Sequence, residues 1–475
     1  MKRDMEAILL IDFGSTNTKV TAVDPEGEGL LGTAAAYTTV DTDVGTGLAE
    51  ALEILQKQTG PLKIIKRFAC SSAAGGLRMI TSGLVPALTA EAARLASLGA
   101  GAKIIRVFSY ELTEEDILEI GALKPDIFLL TGGVDGGNRE CILHNAKMLA
   151  SMSGSAAEPF PIIIAGNRGA AAECETILAA GIAGREIFRC PNVMPALNKL
   201  NIEPVQEEIR RLFLRRIIQA KGLSREQELI SGILMPTPSA VKRALELLSA
   251  GTDTQKGLGE LVAVDLGGAT TDVYSVAKGF PQRNGDVVMK GLPEPESKRT
   301  VEGDIGMRYS SAGVLEVAGA EKLSLLSGLS VEKIRAGVAY LGLHPDAIPV
   351  SEEDAALDFA LAAAAIETAV TRHAGTIEEV YTPAGRVFVQ TGKDLSGVDR
   401  LILTGGAIIH NGRAGDLAAQ ALFNNENPAS LRPRAAEIYI DKSYILAAMG
   451  LLAETWPDKA LSIMRKEIQV YGTGK

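Results

Sequence analysis

The chain has 475 residues and a formal net charge of −10; 46% of its residues are hydrophobic and 4% aromatic. That much apolar material in a chain this long excludes a disordered protein and allows two to four domains. The acidic balance argues against a broad nucleic-acid-binding face, and no apolar run is long enough to span a bilayer.

In chain order, "AILLIDF" reads as a buried strand and "VGTGLAEALEILQKQ" as a helix. "KIIKRFACSS" and "AKIIRVFSYEL" read as strands with the helix "LTAEAARLASLG" between them. "PDIFLLTGG" and "FPIIIAGN" are short apolar strands ending at or near glycine, and "GAAAECETILAAG" is the helix that follows. Such alternation predicts α/β layers around mostly buried sheets. "LNIEPVQEEIRRLFLRRIIQAKGLS" is a charged amphipathic helix whose Arg210, Arg211, Arg215 and Arg216 read as a solvated or inter-lobe face. Cys70, Cys141, Cys174 and Cys190 form no CxxC pair, and no signal-like apolar stretch follows "MKRDMEA". These features predict reduced thiols in a cytoplasmic protein with neither nucleic acid nor membrane as a partner.

Two stretches carry most of the chemistry. "ILLIDFGSTNTKVTAVD" begins at Ile8 and "ELVAVDLGGATTDVYSV" at Glu260. Each is a strand, an aspartate, a Gly/Ser/Thr turn and a second strand. Glycine lets main-chain N–H groups approach an anion, and Ser and Thr hydroxyls donate to phosphate oxygens. An aspartate closing the preceding strand suits a hydrated Mg²⁺. A plain hairpin needs only Asn-Gly or Asp-Gly, so the second turn is richer than turning requires. No GxxxxGK[ST] loop is present, so the pattern is not a P-loop. A related repeat links "LLTGGVDGGN" at Leu129 to "LILTGGAIIHNG" at Leu401, whose His410 reads as structural. The turn-then-TGG order occurs once in each half, which predicts two lobes of related fold.

The order of landmarks — "DFGSTNTK" at Asp12, "PTPSAV" at Pro236, "DLGGATTD" at Asp265, "GDIG" at Gly303, "TGGA" at Thr404 and "YILAAMG" at Tyr444 — resembles the actin-like ATPase superfamily. "LLTGGVDGGN", "NVMPALNKLNIEPVQEEIRRLF" and "VEGDIGMRYS" are in addition similar to the glutamate mutase L family, also called MutL or GlmL. The resemblance implies a two-lobed α/β fold of duplicated ribonuclease-H-like domains, each with a five-stranded mixed sheet. Lobe I would span 1–255 with an insertion at about 124–230, lobe II 256–439, and the C-terminal helix within 440–475 would pack back on lobe I.

Carried onto this chain, the resemblance has Asp12, Gly14, Ser15, Thr16 and Thr18 facing phosphate and metal, and Gly267, Gly268, Thr270 and Thr271 cradling the β- and γ-phosphates. Asp265 holds metal or orients the attacking water, and Asp12 and Asp265 are the expected catalytic and metal-binding pair. Asp272 fixes its turn by hydrogen bonding. Gly303, Gly306, Gly405 and Gly406 line the nucleotide cleft, and strand alternation is expected to point Lys19 away from it. The implied cofactors are ATP or ADP with Mg²⁺. The implied activity is slow Mg-dependent ATP hydrolysis by a chaperone that reactivates an adenosylcobalamin-dependent mutase or aminomutase. Met235 stands where related chaperones carry a glutamate, and a thioether cannot act as a base. The alternatives on the same fold are a small-molecule kinase and a nucleotide-dependent scaffold that hardly hydrolyses ATP. By subtraction, the insertion is expected to contribute to the surface that meets the mutase, with the stretch 204–221 moving as the nucleotide changes. No DxHxxG-like pattern is present, so direct cobalamin binding is not expected.

Overall fold

The computed structural model describes residues 5–38, 44–72, 77–152, 159–220, 232–283, 287–383 and 385–474. The chain forms two compact units. One comprises residues 1–73, 218–290 and 294–475, and the other residues 74–217 with 291–293.

The larger unit holds two sheets of the same design. In the first, the order is Ile233–Pro236, Leu62–Ser71, Met5–Phe13, Asn17–Val23, Leu30–Tyr37. The last three strands form an antiparallel meander, and the first three run parallel. The parallel step from Leu30–Tyr37 back to Leu62–Ser71 needs a crossover, and the Val44–Thr59 helix supplies it. The second sheet repeats the scheme in the order Ser297–Glu302, Thr271–Val276, Leu261–Leu266, Arg400–Thr404, Ala436–Ile440, Gln469–Gly474. Its first three strands are the meander, and Leu261–Leu266, Arg400–Thr404 and Ala436–Ile440 run parallel. This duplicated ribonuclease-H-like arrangement is the actin-like fold. The Asp12 and Asp265 turns close equivalent hairpins on different sheets.

The second sheet has a sixth strand that the sequence reading did not include. Gln469–Gly474 pairs antiparallel with Ala436–Ile440. Only the helices of the C-terminal segment pack toward the first sheet. The Leu446–Ala453 and Pro457–Glu467 helices share a core with Ile8, Leu10 and Cys70 of that sheet, with Ala263, Tyr274 and Ile402 of the second, and with the Thr237–Ala250 helix. The other face of the second sheet is covered by the Glu352–His373 helix, whose run of buried alanines allows close packing. A third sheet of three strands, Val287–Lys290, Gly385–Thr391 and Thr376–Thr382, adjoins it in sequence and is largely exposed.

The smaller unit is a wholly parallel sheet in the order Lys103–Ser109, Arg78–Gly83, Ile127–Leu130, Ile162–Ile164, Ile187–Arg189. Continuous apolar strands such as Ile162–Ile164 are fully buried, as parallel strands between helices are. Arg78–Gly83 pairs on both sides, with Lys103–Ser109 and Ile127–Leu130, so a boundary near 124 would cut through this sheet. The compact unit therefore begins far earlier than the position at which the sequence landmarks alone placed an insertion. The amphipathic helix is present as Glu203–Ala220. Arg211 pairs with Glu208 at 2.5 Å and Arg215 with Glu186 at 3.1 Å, both partners lying in the same unit. The remainder of the expected insertion, 221–230, lies outside the described residues.

The Leu446–Ala453 helix packs closely on Thr237–Ala250, where a Cβ on Gly450 would overlap the carbonyl oxygen of Ala240. Backbone cannot yield as a flexible side chain can, so Gly450→Ala should cost about 1–3 kcal/mol of stability. Gly342, in the Val331–Leu343 helix, has nothing within 4 Å of an added Cβ. Gly342→Ala should therefore be neutral or stabilise by up to about 1 kcal/mol. Denaturant unfolding of the two variants checks this, and equal stabilities would remove the helix contact from the account.

Candidate active site

The first turn is closed by the Gly14 N–H donating to the Asn17 carbonyl at 3.1 Å. Asp12, the penultimate residue of its strand, is 5% exposed. Its Oδ1 accepts from the Thr237 hydroxyl at 2.6 Å and the Cys70 thiol at 3.5 Å. Across the hairpin Asp12 lies opposite Lys19, and Lys19 Nζ approaches Asp12 Oδ2 at 3.5 Å. The ammonium also sits 3.4 Å from the centre of the Tyr444 ring. Burial opposes the Lys19 charge, but Tyr444, Asp12 and Asp265 outweigh it and the pKa is raised. The expectation that alternation points Lys19 away is thus corrected. Residues opposite each other in an antiparallel pair share a face, so Lys19 belongs with Asp12. Thr18, one residue earlier, is fully buried, and its hydroxyl lies 3.0 Å from that of Thr38. Thr16 differs: its Oγ1 is buried and has no hydrogen-bond partner among the described residues.

The second turn repeats the first, with the Gly267 N–H donating to the Thr270 carbonyl at 2.9 Å. Here Asp265 faces Asp272 where Asp12 faced Lys19. Asp272 is neutralised by Arg299 (2.6 Å) and accepts from the Thr270 hydroxyl at 3.1 Å. Asp272 and Thr270 therefore brace the turn. Thr271 donates to the Ile305 carbonyl at 2.9 Å and is fully buried. From below, the Met307 and Arg308 N–H groups donate to the carbonyls of Gly267 and Gly268 at 3.0 and 2.8 Å. Gly306 lies so close beneath Ala269 that a Cβ would come within 2.5 Å of its carbonyl carbon. Gly306 is needed for this support, and Gly303 closely follows the Ser297–Glu302 strand that leads to it. Arg308 is itself held by Asp358 through paired bonds of 3.0 and 2.8 Å.

The two turns face each other. A Cβ on Gly268 would stand 2.9 Å from Thr16 Oγ1. Thr404 lies opposite Asp265 in the parallel pair. Gly405, at φ +117°, has no room for a side chain against Leu266, whereas Gly406 opens into free space. Asp441, fully buried, accepts from the Ile445 and Leu446 N–H groups at 2.9 and 3.1 Å, which ties it to the start of the helix that carries Gly450. Tyr444 holds its ring near Lys19 from a left-handed backbone, φ 56°. Burial pushes the Asp265 carboxyl up to about 7; Lys19 opposes this, while Asp272, Asp12 and Asp441 add to it.

Asp12, Thr16, Gly267, Gly268 and Asp265 converge here, whereas Thr18 and Thr271 turn into the core. Sequence reasoning missed Lys19, Thr237, Tyr444 and Asp441. The last could have been found as an aspartate just before a helix. Met235 is buried in the core, opposite Cys70 in the parallel pair. Among the described residues no group of three or more His, Cys, Asp or Glu side chains is placed to hold a metal ion. The two turn aspartates offer carboxylates, and any ion there would need ligands from water or from a bound anion.

A family model described as MutL protein matches residues 8–468. Protein MutL of Clostridium tetanomorphum is 48% identical over 465 residues, which is 97% of this chain and 99% of that protein. Among solved structures, a nucleotide-free acetone carboxylase aligns with a TM-score of 0.40 and 14% identity, covering 94% of this chain and 70% of that one. A ligand-bound xylulose kinase from Lactobacillus acidophilus gives 0.36 and 10%, covering 99% and 93%. At these scores the fold rests on the strand order itself. No described helix is long and apolar enough to cross a membrane.

The Asp265 shift has a defined sign. An unfolded aspartate titrates near about 3.9. Between about pH 4 and pH 7 the folded state therefore holds a proton that the unfolded chain has released, so stability falls as pH rises across that window and levels off above about 7. Asp265→Asn should raise the melting temperature above wild type at pH 8, by a few degrees (about 2 °C or more), and the advantage should shrink as pH falls below 7 and vanish only at about pH 4. Scanning calorimetry at the two pH values checks this; an equal offset at both would refute a titrating Asp265.

Proposed function

Because this chain belongs to the MutL family, we propose that it binds and slowly hydrolyses ATP between its two turns, and uses the cycle to reactivate an adenosylcobalamin-dependent mutase or aminomutase. The observation that carries the nucleotide reading is the unpartnered Thr16 hydroxyl buried against the opposing Gly268. A buried donor without a partner carries a cost that an incoming phosphate oxygen relieves. Gly267 and Gly268 present main chain free of side chains, and Lys19 sets a positive charge beside the first turn, as polyphosphate requires.

Asp12 and Asp265 would hold a hydrated magnesium ion, which supplies charge neutralisation to the phosphates when bound. Asp265 is also the best-placed base. It closes the first strand of the second hairpin opposite Asp272 and within electrostatic reach of Lys19 and Asp12, so its carboxylate faces the place where a water attacking a bound phosphate would lie. Met235 offers no such function, so Asp265 carries the base role alone. The other faces of the site are braced, by Arg308 and Asp358 under the second turn and by Asp272 and Arg299 at its side. A rigid cradle of this kind can distinguish a triphosphate from a diphosphate by the contacts each makes. A partner that prefers one of the two resulting states would then be bound and released in turn. The expected contribution of the inserted unit to that partner contact belongs to the same proposal.

Single-turnover hydrolysis and nucleotide calorimetry in Mg²⁺, with and without the purified mutase inactivated by turnover, test the reading. Thr16→Val should weaken nucleotide binding by about tenfold, the worth of roughly one hydrogen bond to a charged group. Asp265→Ala should slow hydrolysis by a factor equivalent to a few kcal/mol, on the order of 10²-fold or more. Unchanged affinity and rate in both Asp12→Ala and Asp265→Ala would overturn the site, and failure of the wild type to restore mutase turnover would overturn the chaperone role alone.

A further inference from the structure

Resting on the chaperone reading for its partner, we infer that residues 340–350 form the surface on which that partner docks, and that this surface is tied mechanically to the second turn. These residues join the Val331–Leu343 helix to the Glu352–His373 helix. They leave large apolar side chains in solvent: Val350 is 92% exposed, Leu343 and Ile348 79%, and Tyr340 54%. Single exposed apolar residues are ordinary, but four within eleven positions mark a contact surface. The segment is held in shape. The Ala347 N–H donates to the His344 carbonyl, Tyr340 and His344 stack at 4.2 Å, and the Val350 N–H donates to Asp354. An apolar surface fixed in this way loses little freedom on binding.

Charge selects the occupant. From Tyr340 to Asp354 the chain carries Asp346, Glu352, Glu353 and Asp354 and neither lysine nor arginine; Lys333 of the preceding helix pairs with Glu353 at 2.6 Å, and the rim stays acidic through Asp346, Glu352 and Asp354. An acidic rim around apolar side chains is repelled by anionic lipid surfaces. It fits a protein with an apolar pocket and a basic border.

The link to the nucleotide site is Arg308. Its N–H donates to the Gly268 carbonyl in the second turn, and its Nε donates to the Ala347 carbonyl at 3.0 Å. Asp358 locks the guanidinium between them. One residue thus touches both the turn and the apolar segment. A shift of Gly268 on phosphate binding is passed to Ala347 through a braced, part-buried side chain, which has little room to absorb it.

Two experiments test the two halves. First, calorimetry compares binding of the purified mutase to the wild type and to a Leu343→Ser, Ile348→Ser, Val350→Ser variant. Basal ATP hydrolysis should be unchanged and mutase affinity at least tenfold weaker. Equal affinity overturns the surface, whereas a wild type that binds no mutase in either nucleotide state overturns the chaperone reading and the occupant together. Second, a solvatochromic dye is placed on Ile348→Cys in a Cys190→Ser background. Its emission should differ between Mg-ATP and Mg-ADP, and the difference should disappear on Asp358→Asn and return on Asp358→Glu. An emission indifferent to nucleotide, in protein that binds nucleotide by calorimetry, overturns the coupling.

Discussion

The part-buried ammonium group of Lys19 organises the charges around the two turns. It lies beside Asp12, against the ring of Tyr444, and within electrostatic reach of Asp265. These groups come from the first hairpin, the second hairpin and the turn before the Leu446–Ala453 helix. Without a cation, Asp12, Asp265 and Asp441 would be buried carboxylates whose mutual repulsion is unrelieved. The burial that raises Asp265 toward neutrality also makes this lysine necessary. Structural charge balance and the base proposed for hydrolysis thus rest on the same interaction.

Around that centre the duplicated fold has been used asymmetrically. Both hairpins close with a glycine N–H donating to a carbonyl three residues on, and both carry an aspartate at the end of the first strand. The residue opposite that aspartate is a lysine in one and an aspartate in the other. The second hairpin therefore brings its own cation, Arg299, from the neighbouring strand. It is also supported from beneath by Met307 and Arg308, which leaves the first turn, with its unpartnered Thr16, as the one with a donor to spare. A ligand that accepts from Thr16 completes the arrangement, and a ligand that displaces Gly268 moves Arg308.

How much of this was legible in the chain depends on the range of the interaction. Local chemistry was readable: the strand-Asp-Gly turns and the alternation of strand and helix follow from side-chain size and hydrogen-bonding capacity over a few positions. The duplication was visible because both turns solve the same local problem with similar residues. The family resemblance extended this to the order of the landmarks and hence to the sheet plan.

Tertiary structure decided what depends on pairing. Whether Lys19 faces the site or the core follows from its register opposite Asp12, and the same register sends Thr18 into the core. The boundary of the smaller unit was hidden because Arg78–Gly83 becomes a central strand only once Ile127–Leu130 and Lys103–Ser109 pair with it. The final strand Gln469–Gly474 was hidden for the same reason, since six residues have little strand character until an edge is there to receive them. The pKa of Asp265 is the extreme case. It is set by burial and by residues as distant in sequence as Lys19 and Asp441, and only folding brings those charges together.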